Sequence, residues 1–155
     1  MKLRLAAPAD AETLVGFNCA MALETEGKRL LPDVIGAGVR SLLGNPRAGF
    51  YVVAQHENLV IGALLITREW SDWRNGDFWW IQSVYVREDW RRKGVYKALY
   101  RHIQQLAAQD PAVCGFRLYV DRGNRRAQAV YRALGMERTR YRVLEELKPG
   151  VRFYR

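Results

Sequence analysis

Apolar and polar positions alternate at the start of this chain, cycle at helical spacing through its next stretch, and then alternate again. Lys2 to Ala6 sets Leu3 and Leu5 on one face against Lys2 and Arg4 on the other, which predicts a first strand. After Pro8-Ala9-Asp10, residues Ala11, Leu14, Val15, Asn18 and Met21 share one helical face, with Asp10 or Thr13 near the helix start. The polar, glycine-broken stretch Glu24 to Lys28 ends that helix. A second helix follows Pro32, with Asp33 as N-cap, apolar positions Val34, Ile35, Val39, Leu42 and Leu43, and a stop at Gly44 to Pro46. Phe50 to Ala54 and Leu59 to Arg68 flank His56-Glu57-Asn58 as an antiparallel hairpin, and Ser71 to Asp77, with its Asn75-Gly76, leads into a further strand of the same meander.

The stretch that organises the chain is Trp79 to Leu99. Trp79, Trp80, Ile81, Val84, Tyr85 and Val86 have the composition of a buried strand. Arg87, Glu88 and Asp89 end it, and after Gly94 the residues Val95, Leu99, Ile103 and Leu106 recur at helical spacing. Strand, basic loop and helix make an anion site, because the first amides of a helix lack intrahelical partners and the helix dipole favours negative charge there. From Arg87 to Arg101 six cationic residues stand against two acidic ones, which suits a pyrophosphate. Asp110-Pro111 closes the helix, and Phe116 to Val120 predicts a fifth strand, parallel to the fourth because a helix separates them. Asn124 caps a short helix bearing Ala127, Val130, Tyr131 and Leu134 and closed by Gly135, and Glu137 to Leu147 with Val151 to Tyr154 predict a final hairpin around Lys148-Pro149-Gly150.

With 155 residues the chain is read as one domain, residues 1 to 155, of α/β class with a mixed sheet. No apolar run reaches the length of a membrane span and no leader is evident, so the expected setting is cytoplasmic, without a membrane partner. Cys19 and Cys114 have no Cys or His cluster beside them and are expected to be buried thiols, with no metal site and no disulfide. A net charge of +9 raises the question of nucleic acid, but much of the excess lies in the phosphate loop and in Arg117 to Arg142, and the tryptophans cluster within Trp70 to Trp90. No nucleic-acid partner is expected. His56 and His102 are read as surface residues.

Arg91-Arg92-Lys93-Gly94-Val95-Tyr96 resembles the pyrophosphate motif Q/R-x-x-G-x-G/A of the GNAT superfamily of acyl-CoA-dependent N-acyltransferases, with Tyr96 standing where the family has Gly or Ala. A second block, Leu118 to Asp121 with Asn124, Ala127, Tyr131, Gly135 and Met136, is similar to that family's later strand and helix, and the order of elements matches it almost throughout. The resemblance implies a GNAT-like fold: a mostly antiparallel sheet, a splayed parallel pair of fourth and fifth strands, and about four helices. It implies acetyl-CoA as co-substrate, an amine as acceptor, and a homodimer. Arg91, Arg92, Lys93, Gly94, Val95, Tyr96 and Lys97 would hold the pyrophosphate, the backbones of Val84 and Val86 the pantetheine arm, and Asn124 either the pantetheine or its own helix. An amide near Val84 would polarise the thioester carbonyl, and Tyr131 would protonate the departing thiolate. Trp80 and Gln82 occupy positions where several members carry a glutamate, and neither is a base at neutral pH. Glu24, Glu26, Glu69 and Asp72 lie in regions that line the acceptor side, and would suit a cationic amine. The alternative is a non-catalytic acyl-CoA sensor.

Overall fold

The computed structural model describes residues 1–155 and forms two compact units, Met1–Arg117 with Phe153–Arg155, and Leu118–Arg152. In the first, which holds the sheet up to Arg117, the strands β1 (Lys2–Leu5), β2 (Gly49–His56), β3 (Leu59–Ser71), β4 (Gly76–Val86) and β5 (Val113–Leu118) lie side by side in that order. The first three pairings are antiparallel, and β4 and β5 run parallel. The helices are α1 (Ala11–Glu26), α2 (Pro32–Leu43) and α3 (Val95–Ala108). Alternation along β2 and β3 sends Tyr51, Val53 and Ala63 to a buried cluster with Leu14 of α1 and Val39 of α2. The residues between them, Val52, Ala54, Ile61 and Leu64, are also buried, and Leu99, Tyr100 and Ile103 of α3 are the buried stripe of the third helix. Helical and strand periods thus describe a sheet covered on both sides.

Several local features follow from side-chain chemistry. Asp10 is buried, accepts the Ala7 N–H at 2.7 Å and takes both terminal nitrogens of Arg4 at 2.7 and 3.0 Å, which fastens the entry of α1 to β1. Asp33 is not a cap: α2 begins at Pro32 with Leu31 as its N-cap, because a proline's fixed φ and missing N–H suit the first helical position. At the start of β4, a Cβ on Gly76 would stand 2.9 Å from the carbonyl oxygen of Ala112, so the absence of a side chain there lets the turn before β5 approach, and the Asp77 N–H donates to that same carbonyl at 2.7 Å. β5 accordingly starts earlier than the residue pattern suggested and ends at Leu118, with Tyr119 and Val120 exposed. Cys114 is exposed on this last strand of the sheet and Cys19 is half-buried, so neither is the buried thiol expected of it.

The expected final hairpin does not form. In the second unit, α4 (Arg125–Ala133) is capped by Asn124, whose side-chain oxygen accepts the Ala127 N–H at 3.0 Å, and Gly135 closes it at φ 95°. Beyond it the turn at Lys148 to Val151 is made, but Glu137 to Leu147 contains no strand, and Tyr141 and Leu144 are 79% and 94% exposed. Alternation predicts a strand only where one face has something to be buried against. Within the first unit, the chain's last residues take a different partner: Phe153 O accepts from Leu31 N at 2.8 Å, Arg155 N donates to Arg29 O at 2.9 Å, and Tyr154 bridges to Leu30.

Candidate active site

β4 carries an irregularity that no periodicity announced. Its register with β3 pairs Leu65 with Gln82 and Ala63 with Tyr85, so the single residue Leu64 faces both Ser83 and Val84. That is a β-bulge, and Ser83 sits in the left-handed region at φ 48°. Past the bulge, Arg87 N–H donates to Ile61 O on β3 at 2.9 Å. Backbone groups of successive strand residues point to opposite edges, so those of Val86, and of Val84 two residues before it, face away from β3. β5 has six residues and begins beside Asp77, so Ser83 to Val86 run on past its end. Val84 and Val86 therefore present backbone along an edge of β4 that β5 does not reach.

The loop leaving β4 completes this edge. A short 3-10 turn at Glu88–Trp90 folds the chain back, then Arg92 and Gly94 adopt left-handed conformations at φ 62° and 78°. Gly94 is the N-cap of α3 and brings no capping side chain, which leaves the helix's first amides, those of Val95, Tyr96 and Lys97, aimed outward. Nothing lies within 4 Å of where a Cβ on Gly94 would stand, so the space above the turn is open while its conformation is one that glycine adopts without strain. Arg92, Lys93 and Lys97 are exposed around it, and Lys93 rests its ammonium over the Trp90 ring at 5.0 Å. Tyr96 packs its ring 6.2 Å from that of Tyr100 and buries its hydroxyl, so its bulk is directed away from solvent. Uncapped amides, an open glycine turn and three nearby cations fit a diphosphate.

Of the residues expected to hold the pyrophosphate, Arg91 is engaged by other groups of the protein. Its Nε donates to Val86 O at 3.0 Å and its Nη2 to Glu24 Oε2 at 2.7 Å, so the guanidinium is turned toward the last turn of α1. Tyr85 donates its hydroxyl to the other carboxylate oxygen of Glu24 at 3.2 Å and stacks on Phe17 with ring centroids 4.9 Å apart. Burial, and then the charge of Glu24, raise the Tyr85 phenol above its ordinary range, while the hydrogen bond to Glu24 raises Arg91. A shallow groove lies beside this cluster, lined by Phe17 and Ala20 of α1 together with Tyr85, Arg87, Glu88 and Asp89.

The four carboxylates expected at the acceptor side fall into two places. Glu24 meets Tyr85 near one end of β4, and Glu69 registers with Phe78 near the other, seven residues and so about 20 Å apart along the strand. Glu26 pairs with Lys28 at 3.0 Å, Glu69 pairs with Arg117, and Asp72 accepts the Trp73 N–H at 2.8 Å. Gln82 donates to the Thr67 hydroxyl across the β3–β4 pair, and Trp80 registers with Thr67, half-buried. Asn124 is committed through its oxygen to capping α4, and Tyr131 lies half-buried on that helix in the second unit. No three His, Cys, Asp or Glu side chains gather as a metal site requires, and no helix is long and apolar enough to cross a membrane.

Ser83 and Tyr85 escaped the sequence reading. The one available signal was Ser83 itself, a small polar residue inside an otherwise aromatic and β-branched run.

Comparison with known proteins gives the arrangement its relatives. The family described as Acetyltransferase (GNAT) family matches residues 12–136. A possible acetyltransferase from Clostridium difficile 630 is 41% identical, with 95% of this chain and 97% of that one covered and a TM-score of 0.89. At 19% identity, an aminoglycoside acetyltransferase from an uncultured soil metagenomic sample, solved in complex with sisomicin, shares the fold with a TM-score of 0.75 over 95% of this chain and 96% of that one. A ribosomal-protein-alanine N-acetyltransferase from Brucella melitensis biovar Abortus 2308 does so at 16% identity and a TM-score of 0.75, over 95% of this chain and 100% of that one. A search of curated proteins finds no match.

Proposed function

Because this chain belongs to the GNAT acetyltransferase family, we propose that it transfers the acetyl group of acetyl-CoA to a primary amine by direct attack, without a covalent enzyme intermediate. The observation that carries the reading is the bulged, open edge of β4 running into the uncapped start of α3. One continuous backbone track offers strand-type hydrogen bonds at Val84 and, beside the carbonyl that Arg91 holds, at the Val86 N–H, then the first turn of α3, which no side chain caps. A pantetheine arm is built of amides and ends in a diphosphate, so its two chemistries meet this track in the right order.

The chemistry assigned to the chain's own groups is limited. The amine nitrogen forms its bond to the acetyl carbon as the carbon–sulfur bond breaks, and the Val84 amide, freed by the bulge, steadies the oxygen on which charge develops. Tyr131 gives its hydroxyl proton to the leaving thiolate. The ammonium form of the acceptor must first lose a proton, and Gln82, held by Thr67, is no base. Water carries that proton to a carboxylate, with Glu26, Glu69 and Asp72 as the candidates. Glu26 is matched by Lys28 and Glu69 by Arg117, so Asp72 is the carboxylate among them that favours a cationic acceptor over an acidic one.

The test is acetyl-CoA-dependent thiol release across polyamines, amino acids, aminoglycosides and short peptides, with acetyl-CoA binding measured on the same preparation. Turnover confined to cationic amines is the expected result, and absence of acetyl-CoA binding would sink the reading. Binding without turnover on every amine would favour a sensor of acyl-CoA, the reading that Gln82 in place of a carboxylate supports. Tyr131→Phe is expected to lower kcat by at least about tenfold, in line with the loss of a general acid, with acetyl-CoA affinity nearly unchanged. An unaltered kcat would remove Tyr131 from the mechanism.

A further inference from the structure

We infer that Glu24 is a positioning residue for the acyl donor: through Arg91 it holds the diphosphate loop in its binding shape, and it is not a contact for the acceptor. The inference rests on the acetyl-CoA reading above. It starts from where the hydrogen bonds go. Both oxygens of Glu24 are taken, one by Arg91 at 2.7 Å and the other by Tyr85 at 3.2 Å, so a cationic amine arriving there would have to displace an arginine. Arg91 in turn bridges two elements with one planar fork, Nε on Val86 O at the end of β4 and Nη2 on α1. The chain between Val86 and Arg91 is thereby drawn into a closed turn, reinforced by Trp90 N–H to Arg87 O at 2.9 Å and Arg91 N–H to Glu88 O at 3.2 Å.

What this clasp fixes lies immediately beyond it. Arg92 follows in a left-handed conformation unfavourable to a residue with a side chain, and Gly94 follows in another, before the amides of α3 are presented. A loop holding such torsions while free of ligand binds a diphosphate without first losing the entropy of being ordered. Arginine suits the role because one rigid group must satisfy two acceptors at set angles, which a lysine ammonium on a flexible stem does less well. The positive charge offered to the diphosphate then comes from Arg92, Lys93 and Lys97, while that of Arg91 is matched by Glu24.

A rival view makes Arg91 a direct phosphate ligand that Glu24 merely occupies, and the two views predict opposite signs. Calorimetric affinities for acetyl-CoA and for S-acetylpantetheine, which lacks the diphosphate, are compared in wild type, Glu24→Gln, Arg91→Lys and the double variant, with thermal midpoints recorded for each. Both side chains are partly exposed, so all four proteins are expected to fold. Glu24→Gln is expected to weaken acetyl-CoA binding about fivefold, to leave S-acetylpantetheine unchanged, and to add little once Arg91→Lys is present. Unchanged or tighter acetyl-CoA binding by Glu24→Gln, or equal weakening for both donors, overturns the inference while the acetyl-CoA reading stands. Failure of the wild type to bind acetyl-CoA overturns both.

Discussion

Ser83 is the residue on which the geometry of β4 turns. It holds φ 48° where a serine is strained, and the strain persists because the strands on either side of the bulge are paired with β3. Ser83→Gly is expected to raise stability by about 0.5 to 1 kcal/mol with the site intact, and Ser83→Val to lower it by about 1 to 2 kcal/mol, since a β-branched side chain fits that region worst. Chemical denaturation of both variants measures this, and a destabilised glycine variant would refute it. Gly94 makes the companion prediction. Its turn tolerates a side chain poorly but has open space above it, so Gly94→Glu is expected to leave the protein folded, to put a negative charge where the diphosphate is proposed to lie and to abolish acetyl-CoA binding. Retained affinity by calorimetry would remove the loop from the donor site.

At the scale of elements, the sequence was legible wherever one face of a segment packs on a neighbour. Leu14 and Asn18 on α1, Val39 on α2, and Leu99 and Ile103 on α3 are buried as their spacing requires. The segment Glu137 to Leu147 shows the limit of that signal, because alternation in a run of exposed residues carries no instruction about a partner. α4 is the most vulnerable helix, with nine residues, none fully buried, so its ends matter more than for the others. Asn124→Ala removes the one side-chain cap on its first turn and is expected to cost about 1 kcal/mol locally. Hydrogen exchange should then quicken in α4 and stay unchanged in α3, and a uniform change across both would contradict a capping role.

For the whole molecule, the pairing of buried Asp10 with half-buried Arg4 links stability to pH. The hydrogen bonds from Arg4 hold the Asp10 carboxyl below its ordinary value, against the opposing effect of burial, and the Ala7 N–H adds to the lowering. A carboxylate whose folded value is depressed contributes stability that is fully present above its unfolded value, about 3.9, and is lost as pH falls through the folded value. Asp10→Asn is therefore expected to be less stable than wild type by about 2 kcal/mol at neutral pH, with the gap narrowing below about pH 4. Thermal midpoints of both proteins from pH 7 to pH 2 test this, and a gap that stays constant with pH would mean that the pair matters for shape and not for charge. Donor binding at the proposed diphosphate loop is expected to respond to salt instead, since its cations are exposed and screened.

The sequence by itself determined the order of strands and helices from β1 to α4, the position of the basic loop at the exit of β4, the glycine at the start of α3 and the asparagine cap of α4. Each of these is recorded by residues close together in the chain, as a period, a cap or a turn. Only the tertiary structure decided that Leu64 faces two residues of β4, that Arg91 turns to Glu24 sixty-seven positions earlier, that the carboxylates expected at the acceptor side stand in two places, and that Tyr154 lies beside Leu30. These depend on which distant segment a strand edge or a charged side chain meets once the sheet has closed. A local pattern names the face that is buried, while the partner on that face is chosen by the packing of the rest of the chain.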